Sequence, residues 1–574
     1  MKYLLKFMKG YEKESVLAPT FKMLEAMFEL FVPLVVARIV DEGIRGGNTG
    51  TIYAMCGIMI ALGIVGLICA TCAQYFSARA AVGFATKVRS ALFAHIQSFS
   101  YSVTDHMGTS TMITRMTGDI NSVQTGINMF LRLFMRSPFI VFGAMIMAFT
   151  INVRLALIFA VTIPVLAVVV FGIMLISIPL FKKSQGQLDR VLGKVRENYK
   201  GTRVVRAFNK EQDEIKSFDE RNGALTKIQL FAGSISALMN PLTYVIINLA
   251  VIFLIQKGAL TVETGTISQG ELIALYNYMS QILVELIKLA SLIITLNKAT
   301  ASAHRISDVM QTPSDVERTV HTKEIDTNSA ITFQNVCFRY HPEGDDALNN
   351  VSFSVKAGQT VGIVGGTGSG KTTLMNLIPG FYAPTQGNVF IHGKNTALYD
   401  QNELRSLFGI VPQKAVLFGG TIRSNLLWGN ENSTEEELWQ ALENAQAKDF
   451  VLDKEGGLDA AVQAHGNNFS GGQKQRLTIA RALLRKPQFL ILDDSASALD
   501  YVTESRLRSA LSQMKDTTLL IVSQRTSSIM HADLILVLDD GEVVGQGTHQ
   551  ELLKSCAVYR EIHQSQFSEG GDEQ

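Results

Sequence analysis

The sequence predicts a helical membrane domain of six spans with long cytoplasmic extensions, followed by an α/β domain of the P-loop type. Long apolar runs are confined to about the first 300 of the 574 residues. A glycine-rich loop at 365–373 follows a short apolar run and precedes a helical pattern. A further apolar run, Phe489–Asp493, ends in an aspartate. We therefore divide the chain into a membrane domain at 1–303, a linker at 304–330 and a soluble domain at 331–574.

Six apolar segments are long enough to cross a bilayer, which takes about 20 mostly apolar residues. They lie at about 18–40, 52–82, 127–150, 155–180, 235–257 and 271–297. Only 151–154 separates the third segment from the fourth, so we expect a hairpin at one membrane face. The stretches 83–126 and 181–234 contain no proline and repeat apolar residues at helical spacing among charges. We expect each stretch to form two helical legs that continue beyond the bilayer.

The charge distribution predicts the orientation. The stretch 181–230 carries twelve Lys and Arg residues, whereas the loops 41–50 and 257–270 carry one each. Basic residues favour the cytoplasmic side of a span, so we expect the extensions and both termini in the cytoplasm. The formal net charge of the whole chain is +1, and no basic patch of the kind typical of a nucleic-acid-binding protein is evident.

Some charges fall within or near the predicted spans. They are Glu25, Glu29, Arg38, Arg132, Arg136, Glu285 and Lys288. Ionisable residues inside a membrane domain usually face its interior and find a partner. Glu25 and Glu29 lie one turn apart on one helix face. Two interpretations stay open: structural ion pairing, for example with Arg136, or contact of a carboxylate with a cationic substrate. Glu25, Glu29 and Arg136 are the candidate substrate residues.

The glycine-rich loop has the composition of a phosphate cradle. It consists of Gly365, Gly366, Thr367, Gly368, Ser369, Gly370, Lys371, Thr372 and Thr373. Glycines let backbone N–H groups approach phosphates, and a following helix N-terminus adds positive potential. In such loops the lysine reaches the β- and γ-phosphates and the hydroxyl after it binds Mg²⁺. A strand over Phe489–Asp493 would deliver the Asp493 carboxylate to the same Mg²⁺.

A second phosphate-binding turn lies about a hundred residues after the first. It consists of Phe469, Ser470, Gly471, Gly472 and Gln473. With these motifs the chain resembles the ABC transporter superfamily, and specifically the six-helix exporters that fuse one membrane domain to one nucleotide-binding domain. The resemblance covers essentially the whole chain.

The resemblance implies roles for further residues and implies ATP and Mg²⁺ as cofactors. Tyr340 would stack on adenine, and Gln413 would link Mg²⁺ to the membrane domain. The turns near 104–111 and 207–215 look like coupling helices, one for this chain's own nucleotide domain and one for the partner's. In this family two nucleotide domains close head to tail. Each ATP then lies between one chain's P-loop and the signature turn, Ser470 to Gln473 here, of the other chain.

Two catalytic positions depart from the family pattern. Asp494 stands where a glutamate orients the attacking water, and Gln524 stands where a histidine contacts the γ-phosphate. A misplacement of ~1 Å can cost ~10²-fold in rate, and glutamine cannot carry a charge. Both departures fall in one pocket while the signature is intact. This pattern favours a heterodimer over drift in a working enzyme or an inactive chain.

The resemblance therefore predicts one subunit of an unequal pair in a bacterial plasma membrane. Its own pocket would bind ATP but hydrolyse it poorly, while Ser470 would complete the catalytic site of a second, non-identical half that has the consensus glutamate and histidine. Small amphipathic drugs or dyes taken from a membrane lipid environment are the expected substrates, and no nucleic acid is expected. The alternatives are a lipid or peptide exporter of the same architecture, or a regulator or receptor that signals through ATP occupancy.

Overall fold

The computed structural model describes residues 2–314, 324–325, 328–341 and 343–567. These residues form two compact units. The first unit holds the described residues up to Ser98 and from Met107 to Thr312. The second holds those from Phe99 to His106 and from Pro313 onward.

The first unit is built from helices. Its α-helices are Lys2–Leu5, Glu12–Arg38, Thr49–Gln97, Thr109–Thr114, Ile120–Leu133, Arg136–Ile151, Val153–Ala207, Glu211–Ala237, Met239–Glu263 and Gln269–Gln311. Lys6–Met8 forms a 3-10 turn, and Ile39–Arg45 and Arg115–Asp119 are π-helical. An apolar core gathers residues from several of these helices, and at its centre the buried Tyr278 hydroxyl donates to the Leu30 carbonyl at 2.7 Å.

Five helical stretches in the described part of the chain are long and apolar enough to cross a membrane. They are Thr49–Gln97, Thr109–Ile151, Val153–Ala207, Glu211–Glu263 and Gln269–Gln311. The first predicted span lies in Glu12–Arg38, which has 27 residues but carries Lys22, Glu25 and Glu29. It is not among the five, and its crossing of the bilayer stays a prediction.

The two segments of the predicted hairpin are helical, and the predicted legs beyond the bilayer are also helical. Asn152 separates the third and fourth predicted spans, and its side chain accepts from the N–H groups of Arg154 and Leu155 at 3.0 and 3.2 Å. The helix Val153–Ala207 has 55 residues, or about 80 Å at 1.5 Å per residue. Because a bilayer core is only about 30 Å thick, much of this helix extends beyond it. Its far leg is joined to Glu211–Ala237 by a 2.6 Å ion pair between Lys194 and Glu214.

The last helix of the unit reaches further than the sequence indicates. We placed the linker at 304–330, but the helix Gln269–Gln311 continues through 304. Arg305 tethers this last part of the helix, because its guanidinium forms an ion pair with the buried Asp119 and donates to Ser302 at 2.9 Å. Residues 315–323 and 326–327 of the predicted linker lie outside the described residues.

The second unit is an α/β domain around a six-stranded sheet. The strand order is Glu542–Gly547, Leu534–Asp539, Thr360–Gly365, Thr518–Val522, Phe489–Asp493 and Phe408–Val411. Only the Glu542–Gly547 edge strand pairs antiparallel. The parallel strands are almost continuously buried, as expected when both faces of a sheet are covered.

The remaining strands form two smaller antiparallel sheets. One has the order Leu348–Lys356, Ser329–Phe338, Gln386–Ile391 and Lys394–Asn395, and the other pairs Gly420–Thr421 with Ala461–Val462. The helices of the unit are Tyr101–Met107, Lys371–Leu377, Gln401–Ser406, Ile422–Leu426, Glu435–Asn444, Lys448–Leu452, Gly471–Leu484, Tyr501–Leu511, Thr526–Ile529, His549–Ser555 and Ala557–Phe567. Short 3-10 turns lie at Thr396–Leu398, Gly457–Asp459 and Ala464–Gly466.

The segment Phe99–His106 belongs to this second unit although it lies within the predicted membrane domain. The Tyr101 ring packs edge-on against Phe381 with the ring centroids 4.5 Å apart. The Tyr382 hydroxyl donates to the Asp105 carboxylate at 2.5 Å. One predicted coupling turn thus meets this chain's own soluble domain. The other, near 207–215, lies in the first unit and its role stays a prediction.

Candidate functional site

The glycine-rich loop connects the strand Thr360–Gly365 to the helix Lys371–Leu377. Gly368 and Gly370 have φ angles of +86° and +94°, a region that side chains with a Cβ rarely adopt. At Gly370 a Cβ would also lie 2.7 Å from the Ala347 carbonyl oxygen. Glycine is therefore required for the loop to turn into the helix at this point.

Lys371 folds over the loop that precedes it. Its Nζ donates to the carbonyl oxygens of Gly365 and Gly366 at 2.9 and 2.5 Å. Burial lowers the pKa of Lys371, and the nearby Asp494 and Asp493 act in the opposite direction. The loop therefore surrounds one cationic group that faces two carboxylates.

Asp493 ends a fully buried strand next to the loop. Its carboxylate accepts from the Thr372 hydroxyl at 3.0 Å. Burial raises the pKa of Asp493, with a further contribution from the charge of Asp494. A hydroxyl and a carboxylate oxygen side by side are the hard oxygen ligands that Mg²⁺ prefers, so this pair of residues fits that ion.

Asp494 directly follows the strand and has an unusual backbone. Its φ is +46°, its N–H donates to the Val522 carbonyl at 3.0 Å, and its own carbonyl accepts from the Ser497 hydroxyl at 2.8 Å. The Gln413 amide donates to its carboxylate at 3.5 Å. Burial raises the pKa of Asp494. The backbone bonds on both sides fix where this short side chain begins.

One cavity of about 310 Å³ brings most of the predicted nucleotide-binding residues together. It is lined by Tyr340, Ala347, Thr367, Gly368, Gly370, Lys371, Thr372, Thr373, Gln413, Asp493, Asp494, Val522 and Gln524. The Tyr340 hydroxyl lies 3.0 Å from the Thr373 hydroxyl, and its ring is exposed. Both departures from the family pattern, Asp494 and Gln524, therefore face the same space as Lys371.

The signature turn does not line this cavity. Ser470 caps the helix Gly471–Leu484: its hydroxyl accepts from the Gln473 N–H at 3.3 Å, and the Gln473 side chain accepts from the Ser470 N–H at 3.0 Å. Ser470 and Gly471 are exposed, and Gly472 and Gln473 are half-buried. The turn is preformed and presents its serine to the outside of the domain.

Gln566 supports the site from outside the cavity, and sequence reasoning missed it. Its Nε2 donates to the Gln524 carbonyl at 2.6 Å, while its Oε1 accepts from the Thr526 N–H and hydroxyl at 2.8 and 3.0 Å. The C-terminal helix Ala557–Phe567 thus holds the segment that carries Gln524. No motif marks Gln566, and only its position on an amphipathic terminal helix could have drawn attention to it.

The three candidate substrate residues of the membrane unit belong to two groups of paired charges. Arg136 bonds Glu29 at 2.6 Å and Glu285 at 2.5 Å, so the pairing that we expected for Arg136 falls on these two carboxylates. Glu25 instead bonds Lys22 at 2.5 Å. Ion pairing is therefore present for all three candidate substrate residues.

All three candidates also line one cavity of about 420 Å³, which we name the Glu25 cavity. Its walls are Glu25, Phe28, Glu29, Val32, Met59, Leu62, Gly63, Gly66, Leu67, Ala70 and Arg136. A second cavity, also of about 420 Å³, shares only Glu29 and Val32 with it. We name it the Lys288 cavity, and its walls are Glu29, Val32, Pro33, Val36, Ile140, Asn277, Ser280, Gln281, Val284, Glu285 and Lys288. Glu29 can therefore pair with Arg136 and still contact a ligand, because the same carboxylate bonds Arg136 and lines the cavity.

Comparison with known proteins identifies the family. Residues 16–286 match the model of the ABC transporter transmembrane region, and residues 348–497 match that of the ABC transporter. The chain is 36% identical to the uncharacterized ABC transporter ATP-binding protein YfiB of Bacillus subtilis, with 100% of both chains covered. The chain belongs to the ABC transporter family.

Further matches agree with this assignment. The uncharacterized ABC transporter ATP-binding protein Rv1273c of Mycobacterium tuberculosis is 36% identical, with 97% of each chain covered. A bacterial Atm1-family ABC exporter solved with ATP bound has the same fold, with a TM-score of 0.82 and 24% identity over 98% of this chain and 99% of that one. The predicted fold class, a helical membrane domain followed by a nucleotide-binding domain, is confirmed. The chain is a multi-pass membrane protein with an ABC ATPase domain.

Proposed function

We propose that this chain is the half of a heterodimeric ATP-driven exporter whose own pocket binds ATP and hydrolyses it slowly. It would lie in a bacterial plasma membrane with both termini in the cytoplasm. One observation carries the proposal: Asp494 and Gln524 line the same cavity as Lys371 and Asp493, while an intact signature turn faces outward.

ATP fits the loop and its neighbours. The backbone of 365–373 and the Lys371 ammonium group would bind the phosphates, and the exposed Tyr340 ring would stack on adenine. Thr372 and Asp493, with Gln413, would hold Mg²⁺, which supplies charge neutralisation at the phosphates. This is a binding pocket with its cationic and acidic groups already in place.

Slow hydrolysis follows from the two departures. General-base assistance is worth ~10²–10⁴-fold in rate, and the Asp494 side chain is one methylene shorter than glutamate. Its backbone bonds to Val522 and Ser497 oppose a shift that would compensate for the missing length. Gln524 can donate a hydrogen bond to a phosphate but adds no positive charge there.

The heterodimer follows from the signature. A homodimer would build two weakened sites, whereas a partner half with the consensus glutamate and histidine would gain a catalytic site completed by Ser470. Phosphoryl transfer depends mainly on positioning and charge, so the preformed cap at Ser470 suits this role. The second partner class is the substrate, a small amphipathic compound from the membrane lipid phase whose cationic group would meet Glu25 and Glu29.

Transport by the assembled pair tests the proposal. The chain would be co-expressed with an ABC exporter half that has the consensus glutamate and histidine, and ATP-dependent uptake of ethidium, a cationic dye, would be measured in inside-out vesicles. We expect uptake that falls several-fold in Glu25→Gln and is unchanged in Glu263→Gln, an exposed carboxylate of the same unit. Uptake of a lipid but of no dye would favour the lipid exporter, and movement of no compound would favour a regulator or receptor.

A further inference from the structure

The Lys288 cavity carries a charge arrangement that the Glu25 cavity lacks. Four side chains alternate in sign along one chain of contacts. Lys288 bonds Glu285 at 2.8 Å, Glu285 bonds Arg136 at 2.5 Å, and Arg136 bonds Glu29 at 2.6 Å. We call this row of four paired charges, Lys288, Glu285, Arg136 and Glu29, the charge ladder. Its two ends, Lys288 and Glu29, both line the Lys288 cavity.

Resting on the proposed export function, we propose that the Lys288 cavity binds a zwitterionic amphiphile, with the cationic group against Glu29 and the anionic group against Lys288. The cavity has a volume of about 420 Å³, within the usual range for a small-molecule site. Its ligand would differ in charge type from the cationic compound assigned to the Glu25 cavity.

Exposure separates the ends of the ladder from its interior. The side chains of Glu285 and Arg136 are only 3% and 7% exposed, whereas those of Glu29 and Lys288 are 40% and 42% exposed. The Glu285 carboxylate also accepts a hydrogen bond from the Ser137 hydroxyl at 2.8 Å. The nearly buried Arg136 and Glu285 therefore fix the geometry. Glu285 also lines the cavity, but only the end members Glu29 and Lys288 are substantially exposed to it.

The end groups keep unused bonding capacity. Glu29 accepts a hydrogen bond from Arg136 through Oε2. Among the described residues no group donates to its Oε1. Lys288 donates to Glu285 Oε1, while an ammonium group has three donors. Each end can therefore bind a ligand charge without breaking the ladder.

Neutrality of the ladder favours a ligand that carries both charges. Two cationic and two anionic side chains cancel, so a single bound ion would add a net charge to the site, whereas a zwitterion adds none. A zwitterion pairs with both ends, and such charge complementarity selects between ligands. A purely cationic or anionic ligand of the same size would satisfy only one end.

The remaining walls suit the other parts of such a ligand. Asn277, Ser280 and Gln281 add polar groups, and the Gln281 Oε1 is buried without a hydrogen-bond partner among the described residues. A buried oxygen of this kind costs free energy unless a donor reaches it. The apolar walls accept an alkyl chain and consist of Val32, Pro33, Val36, Ile140 and Val284.

Binding of three octyl compounds to the full-length chain in lipid nanodiscs tests the proposal. The probes are radiolabelled octyl sulfobetaine, octyltrimethylammonium and octyl sulfate, each below its critical micelle concentration. We expect the sulfobetaine to bind about tenfold more tightly than either ion, since one more charge-assisted contact forms. In Lys288→Gln the sulfobetaine and sulfate should weaken about tenfold with the ammonium compound unchanged. In Glu29→Gln the sulfobetaine and ammonium compound should weaken with the sulfate unchanged.

Lys298→Gln is the matched control, because this exposed lysine lies on the same helix and does not line the cavity. Thermal unfolding of each variant verifies that the ladder change has not unfolded the chain. Equal affinity for the three probes, or equal losses for all probes in both variants, would overturn the zwitterion site. Vesicle uptake of ethidium by the assembled pair is a separate readout, so uptake with no sulfobetaine selectivity rejects this inference alone, and loss of all transport rejects the proposed export function.

Discussion

At the residue scale, the proposed unequal use of two nucleotide sites depends on two side chains in one cavity. Asp494 is charged but short, and Gln524 is polar but neutral. Their neighbours Lys371, Thr372 and Asp493 retain the groups that bind phosphate and Mg²⁺. Under the proposed function this pocket binds ATP but hydrolyses it slowly, since the residues expected to bind it follow the family pattern and two of those expected to hydrolyse it depart from that pattern.

The first prediction compares Ser470 with Asp494 in the assembled heterodimer. Ser470→Ala should lower the ATP turnover much more than Asp494→Asn, because Ser470 would serve the catalytic site and Asp494 the slow one. Steady-state phosphate release measures both. Ser512→Ala, an exposed serine at a helix end, should leave turnover unchanged. The opposite order of the two losses would reverse the assignment of the sites.

The second prediction concerns pH. Burial raises the pKa of Asp493, and Mg²⁺ binds only the deprotonated carboxylate. The gain in ATP affinity that Mg²⁺ provides should be full at alkaline pH and should decline as pH falls through this raised pKa, at a higher pH than for an ordinary aspartate near 3.9. Fluorescent-nucleotide titrations with and without Mg²⁺ measure the gain. Asp493→Asn should remove its pH dependence; a gain that persists unchanged to about pH 4 would contradict the expectation.

At the element scale, the helix Ala557–Phe567 supports one wall of the nucleotide pocket. Ala557–Phe567 carries Gln566, which bonds the segment around Gln524, and His563, whose Nδ1 lies 3.0 Å from the Thr526 hydroxyl. The buried Tyr559 anchors the same helix through a 2.7 Å contact with His549. The position of Gln524 thus depends on an element at the end of the chain.

The third prediction tests this dependence. Gln566→Ala should weaken ATP binding to this chain's pocket about threefold, since hydrogen bonds of ~1 kcal/mol each hold the Gln524 segment. Gln566→Glu keeps the acceptor for Thr526 but loses the donor to Gln524, so it should recover part of the affinity. Photo-crosslinking of labelled ATP to the purified chain measures the affinity. Glu561→Ala on the exposed face of the same helix is the control, and an equal loss there would show a general effect of the helix.

At the scale of the whole molecule, the two phosphate-binding motifs lie apart within one chain. The signature turn does not line the cavity that holds the P-loop, and its Ser470 is exposed. Under the proposed function a second nucleotide domain is therefore needed before a phosphate can meet both motifs. The departures at Asp494 and Gln524 make that second domain a different chain under the proposed function.

The fourth prediction concerns the chain alone. Purified by itself, it should show little ATPase activity, because any homodimer would contain two altered sites. The double variant Asp494→Glu with Gln524→His would build two consensus sites with the chain's own signature, and its turnover should rise by ~10²-fold or more. Phosphate release at saturating ATP measures it. Wild-type turnover equal to that of the double variant would refute the need for a different partner.

The sequence by itself determined the fold class, the family and the ATP motifs. Each of these depends on contiguous residues: apolar runs set the spans, and a strand, a glycine loop and a helix are adjacent in the chain. It also exposed the departures at Asp494 and Gln524, because each occupies a fixed place within a motif.

Only the tertiary structure decided which distant groups meet. Arg136 reaches Glu29 and Glu285, and Gln566 reaches Gln524, across separations that no periodic pattern encodes. The same applies to the last part of the helix Gln269–Gln311, where Arg305 contacts Asp119. Charges and amides of this kind can find several partners at similar local cost. Helix packing therefore selects their partners, and the contents of each cavity follow from that packing.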